Sequence, residues 1–167
     1  MDTERTLLLL RHGKAAGEPG VDDINRPLTP RGQRDASAAG QWLRGAALAP
    51  ERVVCSPVRR AKETWEHVSS SLGRAAKQAE VTFDQRVYDA DAAGLLELVR
   101  EFPDTAGTVL MLGHNPAALQ LVLDLTAHRD LFFPTCALAV IRIRGSWADA
   151  APRGGQLMKF WSPHRPT

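Results

Sequence analysis

Apolar residues come in short runs along this chain, and stretches with helical spacing separate them. The first run, "TLLLL" (6–10), is continuous and of strand length, which predicts a strand buried on both faces. "RVVCS" (52–56), "VTF" (81–83) and "TVLMLG" (108–113) predict three more strands. "CALAVIRIR" (136–144) and "GQLMKFW" (155–161) predict a closing hairpin. Between them, 28–45 predicts a helix with Thr29 as N-cap, Pro30 in the first turn and Gly45 just past the end. Ala36, Ala39, Trp42 and Leu43 share one face of it. Residues 58–72, 91–102 (capped by Asp91) and 116–126 (opened by Pro116) predict further helices.

This alternation predicts an α/β fold, a three-layer sandwich with a mainly parallel sheet. The last two strands have no helix between them, so they predict an antiparallel edge. "GEPGVDDINRP" (17–27) is a long polar loop directly after the first strand, where a substrate-contacting loop would sit.

At 167 residues the chain suits one domain over 1–167, without repeats or low-complexity linkers. A net charge of +2 argues against a general nucleic-acid binder, since "RIRGSW" and "SPHRPT" are too short to form a basic stripe. Cys55 and Cys136 sit far apart in apolar segments with no C-x-x-C pair, which suits a reducing, cytoplasmic setting. "MDTERTLLLL" reads as neither a signal peptide nor a membrane span, so no membrane partner is expected.

Candidate chemistry lies at three strand ends. "LLLL" ends in Arg11-His12-Gly13. "VVC" ends in Ser56-Pro57, with Arg59 and Arg60 just beyond, and "VLML" ends in Gly113-His114-Asn115. Taken singly, each has a plain structural explanation: Asn115 could cap a helix, and Arg59 and Arg60 could be a solvated helix face. Ligands of open α/β sheets bind beyond the carboxyl ends of the strands. If the three strands are neighbours, two histidines and several arginines meet at one edge. Guanidinium groups match phosphate oxygens, and a neutral imidazole beside them can attack phosphorus. Neighbouring arginines disfavour protonation of His12 and keep its lone pair available.

"LLRHGKA", "RPLTPRG", "CSPVRRAKET", "LGHNP" and "FPTCALAVI" together resemble the histidine phosphatase superfamily, most closely its small SixA-type phosphohistidine phosphatases. The resemblance runs from about Leu7 to Trp161 and implies a phosphoglycerate mutase-like fold. It implies that His12 is the nucleophile, that Arg11 and Arg60 bind the phosphoryl group, and that His114 completes the pocket. Arg26, in "NRPLT", is expected to touch substrate, and Arg59 to face solvent or the rim. No cofactor is expected. No metal is expected either, because clustered Cys/His spacing is missing and the arginines would repel a cation.

One departure from the superfamily bears on substrate. Many members carry an acid that protonates a departing alkoxide, whereas "RVYDADAAGLLEL" offers only Asp89 and Asp91, and Asp91 is better explained as a cap. An alkoxide, with a conjugate acid of pKa about 15.7, needs that proton. A phosphohistidine already protonated on its other nitrogen expels neutral imidazole, whose conjugate acid has pKa about 6.5. The expected partner is therefore a phosphohistidine-bearing protein. Two alternatives remain: a phosphomonoesterase for a small metabolite, with Asp89 as proton donor, and a non-catalytic phosphate-binding module. His67, His128 and His164 are expected at the surface or as caps, and Trp42, Trp65 and Trp161 in core packing.

Overall fold

Leu7, Leu8, Leu9 and Leu10 are all completely buried, because the strand that carries them runs through a sheet covered on both faces. A computed structural model describes residues 3–165. Among them, β1 (Glu4–Arg11), β2 (Arg52–Cys55), β3 (Glu80–Phe83), β4 (Thr108–Gly113), β5 (Leu138–Arg144) and β6 (Gly155–Trp161) form one sheet. Its order is β3-β2-β4-β1-β5-β6. The first four of these strands pair in parallel, and β5 and β6 add antiparallel. This is the expected α/β architecture with an antiparallel edge.

The helices are α1 (Pro30–Gly45), α2 (Arg59–Leu72), α3 (Arg86–Asp89), α4 (Ala92–Arg100) and α5 (Ala117–Thr126). Alternation along β1 divides its leucines between two cores. Leu8 and Leu10 pack with Ala36, Ala39 and Leu43 of α1 and Ala61, Trp65 and Val68 of α2. Leu7 and Leu9 pack with Leu95 and Val99 of α4 and Leu121 and Val122 of α5. Thr29 caps α1 by accepting from Gly32 N at 3.0 Å, and Asp91 caps α4 by accepting from Gly94 N at 2.9 Å.

Several boundaries differ from expectation. Gly45 is the last residue of α1, and the chain turns at Ala47, whose φ is 55°. Cys136 has a φ of 62°, so it cannot continue a strand, and β5 starts at Leu138. The short α3 and the 3-10 segments Asp23–Asn25, Gly73–Gln78 and Trp147–Asp149 are additional. Trp65 is buried, whereas Trp42 and Trp161 are half-buried and stack at 6.3 Å on the flank of a core. Trp147, not among the expected core residues, is fully buried and donates to Ala106 O at 2.8 Å. The single-domain expectation for 1–167 includes residues 1–2 and 166–167, which lie outside the described residues.

Candidate active site

The three strand ends are neighbours and level. β4 lies between β1 and β2, with Arg11 opposite Gly113 and Cys55 opposite Leu112. Backbone bonds continue past the sheet: His12 N donates to Gly113 O at 3.1 Å, and Ser56 N to Leu112 O at 3.0 Å. On the other flank, Cys136 N donates to the carbonyls of Arg11 and His12 at 3.1 and 3.0 Å. The left-handed turn at Cys136 thus clamps the tip of β1.

Two glycines let helix α1 close on this tip. A Cβ at Gly32 would stand 2.3 Å from Lys14 O, and one at Gly13 would stand 2.9 Å from Gly32 O. Thr64 ties the tip to α2. Its fully buried hydroxyl accepts from Gly13 N at 3.0 Å and donates to Arg60 O at 2.7 Å. One side chain therefore sets the position of His12 relative to Arg60.

The imidazoles of His12 and His114 face each other with centroids 4.9 Å apart. His12 Nδ1 lies 2.7 Å from Gly13 O, and a carbonyl only accepts, so the ring proton belongs on Nδ1 and the Nε2 lone pair is free. Burial pushes His12 down to about 3; the Gly13 carbonyl opposes it as the next largest effect, and His114, Arg60 and Arg11 each add a smaller push downward. Burial and Arg60 push His114 down to about 4. His114 Nε2 shares a 2.8 Å hydrogen bond with the hydroxyl of Ser56, and its buried Nδ1 has no protein partner.

Arg11 and Arg60 are each held by one part of the guanidinium. Arg11 Nη1 donates to Phe133 O at 3.1 Å, an oxygen that also accepts from Asn115 Nδ2 at 3.0 Å. Arg60 Nη1 donates to Asp23 O at 2.7 Å and Nη2 to Asp23 Oδ2 at 3.0 Å. The Nε of each arginine is buried and has no protein acceptor. Terminal N–H groups not used in these bonds remain on both guanidiniums and are suited to an anion.

Asp23 comes from the polar loop and gathers three donors. Its Oδ2 accepts from Tyr88 at 2.6 Å and from Arg60, and its Oδ1 accepts from Arg26 at 3.1 Å. The Tyr88 bond, then those of Arg26 and Arg60, hold its carboxyl well below the usual range. Tyr88 in turn meets the His114 ring edge-on at 5.3 Å. Asp23, Tyr88, Ser56 and Thr64 belong to the surroundings of the site, and nothing local in the sequence marks their contacts. Asp23 looks no different from its neighbour Asp22.

Arg26 sits on the loop, fixed by Ala16 O at 2.9 Å and by Asp23. Arg59 is half-exposed and paired with Glu63 at 2.8 Å, away from the histidine pair. Asp89 is exposed at the end of α3, where both its oxygens accept from Gln85. His67 is half-buried on α2 and His128 is exposed. His164 pins the C-terminal segment to α1 through Asp35 at 2.9 Å, so it is more than a surface residue.

A groove of about 490 Å³ adjoins His114, lined by Val87, Tyr88, Asp89, Ala92, Ala117 and Gln120 among others. A larger hollow of about 620 Å³ lies at the opposite end of the sheet, beside the Arg52–Glu80 ion pair, and contains none of the site residues. Among the described residues no group of three or more His, Cys, Asp or Glu is arranged to hold a metal ion. No described helix is long and apolar enough to cross a membrane.

The chain as a whole has counterparts among known proteins. The Escherichia coli phosphohistidine phosphatase SixA is 30% identical over 140 residues, 82% of this chain and 84% of that protein. A candidate SixA phosphohistidine phosphatase from Nakamurella multipartitia superposes with a TM-score of 0.83 at 34% identity, covering 96% of both chains. The protein histidine phosphatase SixA complexed with tungstate superposes with a TM-score of 0.74 at 29% identity, covering 95% of this chain and 97% of that one. The model of the histidine phosphatase superfamily (branch 1) matches residues 7–107, a span that holds the Arg-His-Gly tip, the polar loop and Arg60. With these likenesses added to the histidine pair at the sheet edge, the chain belongs to the histidine phosphatase superfamily, and its chemistry is that of a phosphatase.

Proposed function

We propose that the protein removes phosphoryl groups from phosphohistidine on protein substrates, without a metal ion and through a phosphoryl intermediate on His12. The observation that carries this reading is the free Nε2 of His12, set by the Gly13 carbonyl and facing His114 between two arginines. Terminal N–H groups of Arg11 and Arg60 that their protein bonds leave unused hold the phosphoryl oxygens, as does His114 when its ring presents an N–H to them. His12 Nε2 attacks phosphorus while the bond from phosphorus to the substrate nitrogen breaks. The electron pair stays on the substrate imidazole, which departs neutral because its other nitrogen already bears a proton.

The second step mirrors the first. Phosphorylated His12 keeps its Nδ1 proton on Gly13 O, so attack by water expels it as a neutral imidazole. The water's proton passes to the released phosphate or to solvent. Neither step requires an acid to protonate the departing nitrogen, which fits the position of Asp89 at the exposed rim of the groove. The SixA structure holding tungstate supports an oxyanion seat of this type. Buried thiols at Cys55 and Cys136, with no disulfide, suit the cytoplasm.

The test is a substrate panel run with a chelator present, comparing a phosphohistidine-bearing protein with sugar phosphates and aryl phosphate, together with acid-quench trapping of the enzyme. The expected result is preference for phosphohistidine and a transient, acid-labile phosphoryl label that His12→Ala abolishes. Preference for a sugar phosphate would move the protein to the small-metabolite class. Full activity in His12→Ala would remove the nucleophile.

A further inference from the structure

Arg60 is nearly fully buried, and both of its terminal nitrogens are committed to a single residue of the loop, Asp23. These bonds use two of the five guanidinium N–H groups, one on each terminal nitrogen, so each terminal nitrogen keeps a second N–H. Like that of Arg11, the charge of Arg60 acts on both His12 and His114. We propose that Asp23 is a positioning residue for the phosphoryl group: it grips one N–H on each terminal nitrogen of the Arg60 guanidinium and so fixes the plane from which the remaining terminal N–H groups meet the oxyanion.

Three features support this beyond the pairing itself. First, the Asp23 carbonyl and carboxylate bind adjacent nitrogens of one guanidinium, a two-point grip that fixes its plane as well as its position. Second, the carboxylate is itself fixed by Tyr88 from the α3 segment and by Arg26 from the loop. Its direction is therefore set independently of Arg60. Third, the guanidinium cannot turn without breaking both Asp23 bonds, while Thr64 holds the Arg60 backbone. Arg26 enters the same network as a brace for Asp23, an indirect route to the site.

A contrary effect must be weighed. A carboxylate beside an anion site repels the anion, and its removal would tighten binding on that account alone. The Asp23 side chain is 48% exposed, so water and salt screen that repulsion. The two-point grip acts at contact distance on a side chain that is 7% exposed. The grip should therefore win, and the sign of the change separates the two effects.

The experiment is titration of the intact protein with inorganic phosphate and with tungstate by calorimetry, which needs no turnover and no knowledge of the leaving group. Asp23→Ala should weaken anion binding about tenfold, within the range of coupled neighbours. Asp23→Asn, which retains one acceptor for Arg60 Nη2, should recover most of that loss. In an Arg60→Lys background, where no second terminal nitrogen exists to be gripped, Asp23→Ala should change binding less than threefold. Equal or tighter binding in both Asp23 variants would overturn the proposal in favour of simple repulsion. So would an undiminished effect of Asp23→Ala in the Arg60→Lys background. Should phosphohistidine prove not to be the substrate, these results still decide the role of Asp23.

Discussion

At the scale of single residues, reactivity here rests on keeping an imidazole neutral inside a positively charged edge. His12 is buried, flanked by two guanidiniums and a second histidine, and carries its proton on the carbonyl side. Both histidines are pushed down, to about 3 and about 4, so neither should change charge between pH 5 and 8. Proton–nitrogen NMR of ring-labelled protein should therefore show two imidazoles with pH-independent shifts over that range, and these two signals should vanish in His12→Asn and His114→Asn respectively. A titration midpoint near 6.5 for either ring would contradict the burial that sets their state. Arg11, His12, Arg60 and His114 could be picked out in the sequence because each follows an apolar strand end. Asp23, Tyr88, Ser56 and Thr64 could not, since each makes a bond to a residue 37 or more positions away, and no spacing rule records such contacts.

At the scale of elements, the leucine run was readable as a strand buried on both faces, and the alternation of strand and helix gave the class of fold. The left-handed turn at Cys136 was not readable, because its φ of 62° is imposed by bonding to two carbonyls of the β1 tip rather than by residue type. Sheet order was likewise open: β1 was expected near the other two strands only as a condition for the site. The structure puts β1 between β4 and β5, so the strand that bears His12 is braced on both edges. Leu9 is fully buried and packs into the core under α4 and α5. Leu9→Ala should cost about 2–5 kcal/mol, since a buried leucine leaves a cavity that close-packed neighbours fill only in part. Urea denaturation followed by circular dichroism measures it. A loss below about 1 kcal/mol would mean that the core relaxes into the space and that β1 is not a rigid mount.

For the whole molecule, the same burial that makes His12 reactive ties folding to pH. In the unfolded chain His12 and His114 regain the ordinary value of 6.5, while in the folded protein they stay unprotonated down to about 3 and about 4. Between those limits the unfolded state binds more protons, so stability rises with pH across the window and is lost as pH falls from about 6.5. At pH 5 each histidine would be about 1.5 pH units below its unfolded value, a loss of about 2 kcal/mol apiece at 1.36 kcal/mol per unit. That is a large share of the 5–15 kcal/mol typical of a domain. Asp23 acts in the same direction but lower: its depressed carboxyl contributes fully above the unfolded 3.8, and that part is lost only in stronger acid. Urea unfolding should therefore show stability lower by about 4 kcal/mol at pH 5 than at pH 7.5. His12→Asn, which leaves nothing at position 12 to protonate, should remove about half of that difference. If the native protein were equally stable at both pH values, the histidine pair would not be held neutral by the fold, and the free lone pair on which attack depends would lose its physical basis.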